Sequence, residues 1–345
     1  MLTTIDSLAN AAAPPRSDWV WLLRSHGGYV AVFLLLAVAG ACAIATPSAT
    51  SGSWLWVAAV FIVGMPHGAY DLAAIRRSSP NRQITARRFA AYTLVLLASL
   101  GLFLALPAVA VVAFLFLAAH HFGINDSVWT RGRINLARSE HLAGLGRGLV
   151  VLFSPFAFQP AASSAPFISI ARLVGQIREP QPAAIAWLAI ILVLIGFAFI
   201  TFASVRIGGK RMTEEWATLA AVVALSALAP PLVAIGSYFL IIHASGHCLR
   251  ALTPGRPVGD RPFANALRIH RESIPLLVPS VIIVLVGATI MPGPSPDAIA
   301  IAFLLFCIVA TLPHHMLWMT SNRWLPSSAH PHPHSPRSTN PSSPT

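Results

Sequence analysis

The sequence predicts an all-α, polytopic transmembrane helical bundle with about ten spans, and three observations carry that expectation. Of the 345 residues, 56% are hydrophobic and only 10% are charged. A soluble domain carries about 25% charged residues, so this surface suits lipid better than water. Apolar runs of about 20 residues, the length needed to cross the hydrocarbon core, recur from residue 28 onward. Basic residues gather between alternate runs, as the positive-inside rule requires of a chain that crosses back and forth.

The runs lie at 28–46, 54–75, 89–106, 108–130, 141–160, 183–205, 216–229, 232–251, 274–291 and 298–319. Pro107 and the pair Pro230–Pro231 divide neighbouring runs at tight breaks, because proline cannot continue a helix. The seventh run is short, and the fifth contains Arg147. Arginines or lysines follow runs two, four, six and eight, and others precede run one and follow run ten. That places 21 basic residues on one side, against Arg172 and Arg178 on the other. Both termini are therefore expected in the cytoplasm, with the chain a multi-pass protein of the inner (cytoplasmic) membrane. The net charge of +12 becomes a topology signal, and nucleic-acid binding is not needed to explain it.

Three domains follow: a cytoplasmic N-terminal segment at 1–27, a transmembrane domain at 28–320, and a disordered cytoplasmic tail at 321–345. The first run is long for a signal peptide and starts late, so it is kept as a span. His330, His332 and His334 sit in a tail rich in serine and proline, where a polar disordered segment explains them without a metal. Cys42, Cys248 and Cys307 are far apart in apolar runs with no Cys-x-x-Cys spacing. That spacing implies small packing residues, with neither a disulfide framework nor a zinc knuckle.

Histidine within a span is costly and usually functional, and four spans carry it. His67 lies in the second, His120 and His121 in the fourth, His243 and His247 in the eighth, His314 and His315 in the tenth. These four even-numbered spans run in one direction. Counted from its outer end, His67 is residue 14 of its run, His121 is 14, His243 is 12 and His314 is 17. At about 1.5 Å per residue they share a layer roughly 8 Å deep near the midplane. His243 and His247, four apart, project from one helix face with only Ala244, Ser245 and Gly246 between them. One helix thus offers two imidazoles, and His67 and His121 complete a set suited to iron, copper, zinc or nickel. His120 points about 100° away from His121, so at most one of the two faces the metal. Asp71, Asn125 and Asp126, with His120, His314 and His315, are candidates to stand behind the ligands and fix their tautomers. His26, His141 and His270 lie near span ends and need no special role.

Four motifs carry a resemblance to a known family: Gly64-Met-Pro-His-Gly-Ala-Tyr-Asp71, His121-Phe-Gly-Ile-Asn-Asp126, Tyr238-Phe-Leu-Ile-Ile-His-Ala-Ser-Gly-His247 and Pro313-His-His-Met316. In order and spacing, from about residue 60 to 320, the chain resembles the Brp/Blh membrane β-carotene 15,15′-dioxygenases. The resemblance implies Fe(II) held by His67, His121, His243 and His247, and cleavage of a carotenoid by O2 at its central double bond to give retinal. It also implies a lipid-dissolved substrate and a retinal-binding rhodopsin as recipient of the product. Phe114, Phe122, Tyr238 and Phe239 flank the histidines and are candidates to line a polyene tunnel. Two positions depart from the family pattern: Ile124 stands where an acidic residue is common, and Gly246 where an arginine is common.

Two other readings compete. A membrane di-iron desaturase or hydroxylase would need several His-x-x-x-His clusters, and this chain has one. A non-enzymatic haem- or metal-transporting protein would also bring histidines together in a membrane, and a Soret band would identify bound haem. The charge asymmetry has its own test. In a chain lacking the three native cysteines, one placed in 76–88 should label from the cytoplasmic side and one in 160–182 from the opposite side. Labelling of both from one side would break the shared direction of the histidine-bearing spans.

Overall fold

The protein is described by a computed structural model at residues 18–44, 60–79, 81–131, 136–175, 180–207, 209–252, 262–291 and 295–321. Among these residues the chain is helix and turn, with no strand. The helices are α1 (Asp18–Ile44), α2 (Pro66–Ala69), α3 (Asp71–Ser78), α4 (Arg82–Ala105), α5 (Pro107–Arg131), α6 (Arg138–Phe158) and α7 (Pro160–Arg172). They continue as α8 (Pro182–Ile207), α9 (Gly209–Leu228), α10 (Pro231–Tyr238), α11 (Ser245–Leu252), α12 (Pro262–Ala288) and α13 (Ser295–Ser321). Two wide π-helical turns, Val60–Gly64 and Phe239–Ala244, lead into α2 and α11.

Local chemistry sets the boundaries. The Asn81 side chain accepts the Ile84 N–H and caps α4. Pro107, Pro160, Pro182 and Pro231 open their helices, where the missing N–H would have no partner in any case. Gln159, at the corner between α6 and α7, donates to the Ser226 and Ala229 carbonyls at 2.9 and 2.7 Å. Those bonds satisfy carbonyls at the end of α9 that lack helical partners.

Among the described residues seven segments are long and apolar enough to cross a membrane, which makes this a multi-pass membrane protein. The count of about ten is approximate, and each shortfall has a cause. The apolar part of α1, Gly28–Ile44, is short. The expected second span is broken around Met65–Pro66 and Tyr70, and its start at 54–59 lies outside the described residues. The expected seventh span sits in α9, whose first turns carry Lys210, Arg211, Glu214 and Glu215. One element departs from the sequence expectation: α7 occupies part of 160–182, which reads as a connection. Its Pro160 falls in the first helical turn, where proline is tolerated. Of the expected terminal segments 1–27 and 321–345, residues 1–17 and 322–345 lie outside the described residues, and 18–27 form the first turns of α1.

The centre of the bundle is α6, the most buried of the candidate spans. Glycines bring its neighbours to backbone contact. A Cβ on Gly148 would strike the Ala119 carbonyl, and one on Gly123 the Gly144 carbonyl. On the other side Gly146 and Gly196 meet reciprocally, each carbonyl occupying the space of the other's Cβ. Lipid tails are as apolar as leucine, so helices in a membrane associate through such close packing rather than through a hydrophobic drive. Arg147 lies between these glycines, and the structure turns it inward. Its Nε donates to Glu215 Oε1 of α9 at 2.6 Å and its Nη2 donates to Oε2. The charge count by loops places this arginine with the cytoplasmic group, but it is a buried, paired residue. The neutral pair is tolerable in low dielectric where either charge alone would not be.

Backbone contact leaves no room for a side chain. Gly148→Leu and Gly123→Leu should each destabilise the protein by at least the roughly 1–3 kcal/mol of an overpacked core. Gly101→Leu, where a Cβ meets nothing within 4 Å, should be neutral. Thermal unfolding in detergent compares the three.

Candidate metal centre

Four elements deliver the histidines. The turn Val60–Gly64 and α2 place His67, α5 carries His120 and His121, the turn Phe239–Ala244 and α11 carry His243 and His247, and α13 carries His314 and His315. Both π turns sit beside the cluster, a location where such wide turns recur because they re-aim side chains. Gly64 lets them meet, since a Cβ there would overlap Phe239 and Leu240.

The layer anticipated from span counting closes into a compact cluster. His67 lies 5.3, 5.2 and 5.1 Å, ring centre to ring centre, from His243, His247 and His314. His121 lies 4.9 Å from His243, 5.0 Å from His314 and 6.5 Å from His247. All five rings are buried. His67, His121 and His314 each offer one ring nitrogen within 4.8 Å of the others. His314, expected from sequence to stand behind the ligands, is thus among the central rings. His315 approaches His121, Nδ1 to Nδ1, at 2.9 Å. His120 packs edge-on against His315 at 5.0 Å.

Fixed acceptors set the tautomers. His67 Nδ1–H donates to the Gly64 carbonyl at 2.7 Å. His243 Nδ1–H donates to Asp126 Oδ1 at 2.9 Å, and His314 Nδ1–H to Asp71 Oδ2 at 2.8 Å. A neutral imidazole with its proton on Nδ1 presents a lone pair on Nε2. The Nε2 atoms of His243 and His314 are buried with no hydrogen-bond partner. Unmet buried nitrogens cost free energy, and a divalent cation between the rings would satisfy them.

The charges fit as well. Asp71 and Asp126 are buried. Asp71 accepts from His314, from Trp318 Nε1 at 2.9 Å and from Tyr92 Oη at 3.0 Å. Asp126 accepts from His243 and from Tyr238 Oη at 2.6 Å. With Arg147 and Glu215 cancelling, these two carboxylates are placed to offset a divalent cation among neutral imidazoles. The donor set, nitrogen ligands backed by carboxylates, suits iron or zinc.

A cavity of about 560 Å³ reaches the cluster, with His67, His121 and His314 in its wall. The rest of the lining is almost entirely hydrocarbon, including Phe114, Phe122 and Phe239. Tyr238, grouped with them from sequence, does not line it; its ring is buried and its hydroxyl serves Asp126. Asp71, one turn after His67 in sequence, instead reaches across to α13. Asn125 does lie beside His121, its Nδ2 2.9 Å from Nδ1. Ile124 lies against Gly144 of α6.

Sequence reading misses Tyr92, Trp318 and the Arg147–Glu215 pair. Trp318 follows His314 by four residues, a spacing that could mark it. Tyr92 gives no local signal, because only tertiary packing brings α4 to Asp71.

A family model described as "Beta-carotene 15,15'-dioxygenase" matches residues 58–320. A curated relative, the "Beta-carotene 15,15'-dioxygenase" of Uncultured marine bacterium 66A03, is 25% identical over 201 residues, covering 56% of this chain and 67% of its own. No solved structure matches.

The carboxylates should tune metal retention without being needed for folding. Asp126→Asn and Asp71→Asn keep the shape and remove one charge each, and should weaken metal binding by about 10–100-fold. Metal content after dialysis against a graded chelator measures this. His314→Ala should lose metal as fully as His67→Ala.

Proposed function

The chain belongs to the beta-carotene 15,15′-dioxygenase family, and from that premise we propose that this carotenoid dioxygenase works with Fe(II) held by its histidine cluster. The ligands are His67, His121, His243 and His247, with His314 as a further imidazole at the same centre. The substrate is β-carotene or a close relative, cleaved at its central double bond. The observation that carries the reading is the meeting of buried, tautomer-fixed imidazoles with a hydrocarbon-walled cavity.

Bound there, Fe(II) would supply activation of O2. The reaction balances without other electrons: the C=C and O–O bonds break, and two C=O bonds form, one oxygen atom in each aldehyde. The protein's own groups do the rest. Asp126 and Asp71 hold the imidazole of His243 and that of His314 with Nε2 unprotonated. The Gly64 carbonyl does the same for His67. Phe122, 4.4 Å from His243 ring to ring, and Phe239, 5.0 Å from His67, offer the polyene flat apolar surfaces and exclude water from the centre.

A substrate dissolved in the bilayer suits a site at mid-membrane depth, and both termini facing the cytoplasm follow from the basic loops. Retinal would leave into the same membrane, where a rhodopsin is a fitting recipient.

The test is direct. Iron-loaded protein in detergent, given β-carotene and O2 without NADH, flavin or a partner protein, should release retinal. Label from dioxygen should enter the aldehyde when it is trapped quickly as the alcohol. Failure across a carotenoid panel, with iron demonstrably bound, would sink the oxygenase mechanism.

A further inference from the structure

The cavity does more than reach the histidines: it comes to the surface of the bundle within the apolar belt. Helices α4 and α12 are the least buried of the candidate spans. Each packs on α13 and on the short α3, but the two share no extended contact with each other. Between them lies a slot, and the cavity fills it. Thr93 and Leu96 of α4 and Pro279 and Ile283 of α12 line the cavity. Three of these are also exposed, namely Thr93, Pro279 and Ile283, the last at 59%. Side chains that both line a cavity and face outward mark openings; these three cluster between α4 and α12, while Ala162 and Pro230 meet the same condition at the starts of α7 and α10.

The chemistry of the rim is that of a passage for hydrocarbon. The Thr93 hydroxyl donates to the Phe89 carbonyl at 3.0 Å and that of Ser280 to the Leu276 carbonyl at 2.7 Å. Both hydroxyl hydrogens are spent within their own helices, so the rim offers none to a passing molecule. In the first half of α12, Arg77 of α3 pairs with Glu272 at 2.6 Å and Arg268 joins the same carboxylate at 2.9 Å, which ties α12 to α3 and not to α4. The inner wall of the cavity includes Gly68, directly after His67. Pro275 and Pro279 each remove a helical hydrogen bond from α12 where it forms the rim, which lets that helix bend there.

Resting on the carotenoid reading above, we infer that the polyene reaches the histidine cluster sideways from the bilayer, through the slot between α4 and α12. Thr93, Pro279 and Ile283 form its mouth, and their bulk limits which carotenoid ends pass.

The experiment compares Ile283→Trp and Thr93→Phe, which narrow the slot from opposite sides, with Ile282→Trp. Ile282 is exposed at 54% and lies outside the cavity lining, so its variant reports any general effect of bulk on α12. Each protein is iron-loaded and assayed with β-carotene in micelles, with iron content measured separately. The expected result is a drop of about tenfold or more in kcat/KM, mostly in KM, for Ile283→Trp and Thr93→Phe. Iron should stay at the wild-type level, and Ile282→Trp should be unaffected. Wild-type kinetics in both rim variants would overturn the proposal, as would an equal loss in Ile282→Trp. A loss confined to Ala162→Trp, at the exposed outer end of the cavity on α7, would move the mouth there and overturn it too. If the wild-type protein cleaves no carotenoid, the functional reading fails instead, a result distinct from any of these.

Discussion

Two carboxylates, Asp71 and Asp126, lie inside the bundle with their oxygens committed to hydrogen bonds, and the rest of the site depends on what they hold. An ionised carboxylate in a low-dielectric interior is tolerated only when its charge is matched and its lone pairs are used. Each carboxylate meets the second condition with an imidazole and an aromatic donor, Tyr238 for Asp126 and both Tyr92 and Trp318 for Asp71. The first condition cannot be met by the neutral rings. The cation proposed above would meet it, and the bonds that His243 and His314 give to the carboxylates keep the proton on Nδ1 and leave Nε2 unprotonated. On that proposal one hydrogen-bond network would set both the charge balance and the tautomers of the ligands.

That network spans five separate segments of chain, so it depends on helices that do not slip. The glycine contacts of α6 with α5 and α8 provide the fixed frame. Backbones in touch have no soft side chain to absorb a shift, and α5 carries both His121 and Asp126 on a surface so defined. The Arg147–Glu215 pair joins α6 to α9 beside these contacts. On the other side α4 is held by α13, α5 and α3, and α12 by α13, α2, α11 and α3, with the Arg77–Glu272 pair between α3 and α12, while α4 and α12 make no extended contact with each other. A rigid side for the ligands and an open side for a lipid-soluble substrate divide the bundle by task.

Much of this is legible in the amino-acid order. Hydropathy and basic loops specify a membrane bundle, because the cost of unpaired backbone and charge in hydrocarbon is a local property of each segment. The histidine layer is legible too, since helix rise converts residue number into depth. The departures lie where that conversion fails. The second expected span breaks near Met65–Pro66, and the π turn at Phe239–Ala244 alters the helical register ahead of His247. Tyr238 and Phe239 are neighbours in sequence and both candidates for the tunnel wall, yet they face different ways. Phe239 lines the cavity and Tyr238 serves Asp126.

Composition, spacing and local motif suffice for the class of the fold, the common depth of the histidines and the family. None of these needs knowledge of which helix touches which. Helix packing alone sets the rest: Asp71 crosses to His314 and Trp318 rather than backing His67, His314 joins the central rings, and Arg147 faces Glu215. The emergence of the cavity between α4 and α12 belongs with these. All depend on the rotation of each helix about its own axis and on the choice of neighbours. In a membrane both are governed by the close fit of small residues on facing helices, a pairwise property that no single segment carries.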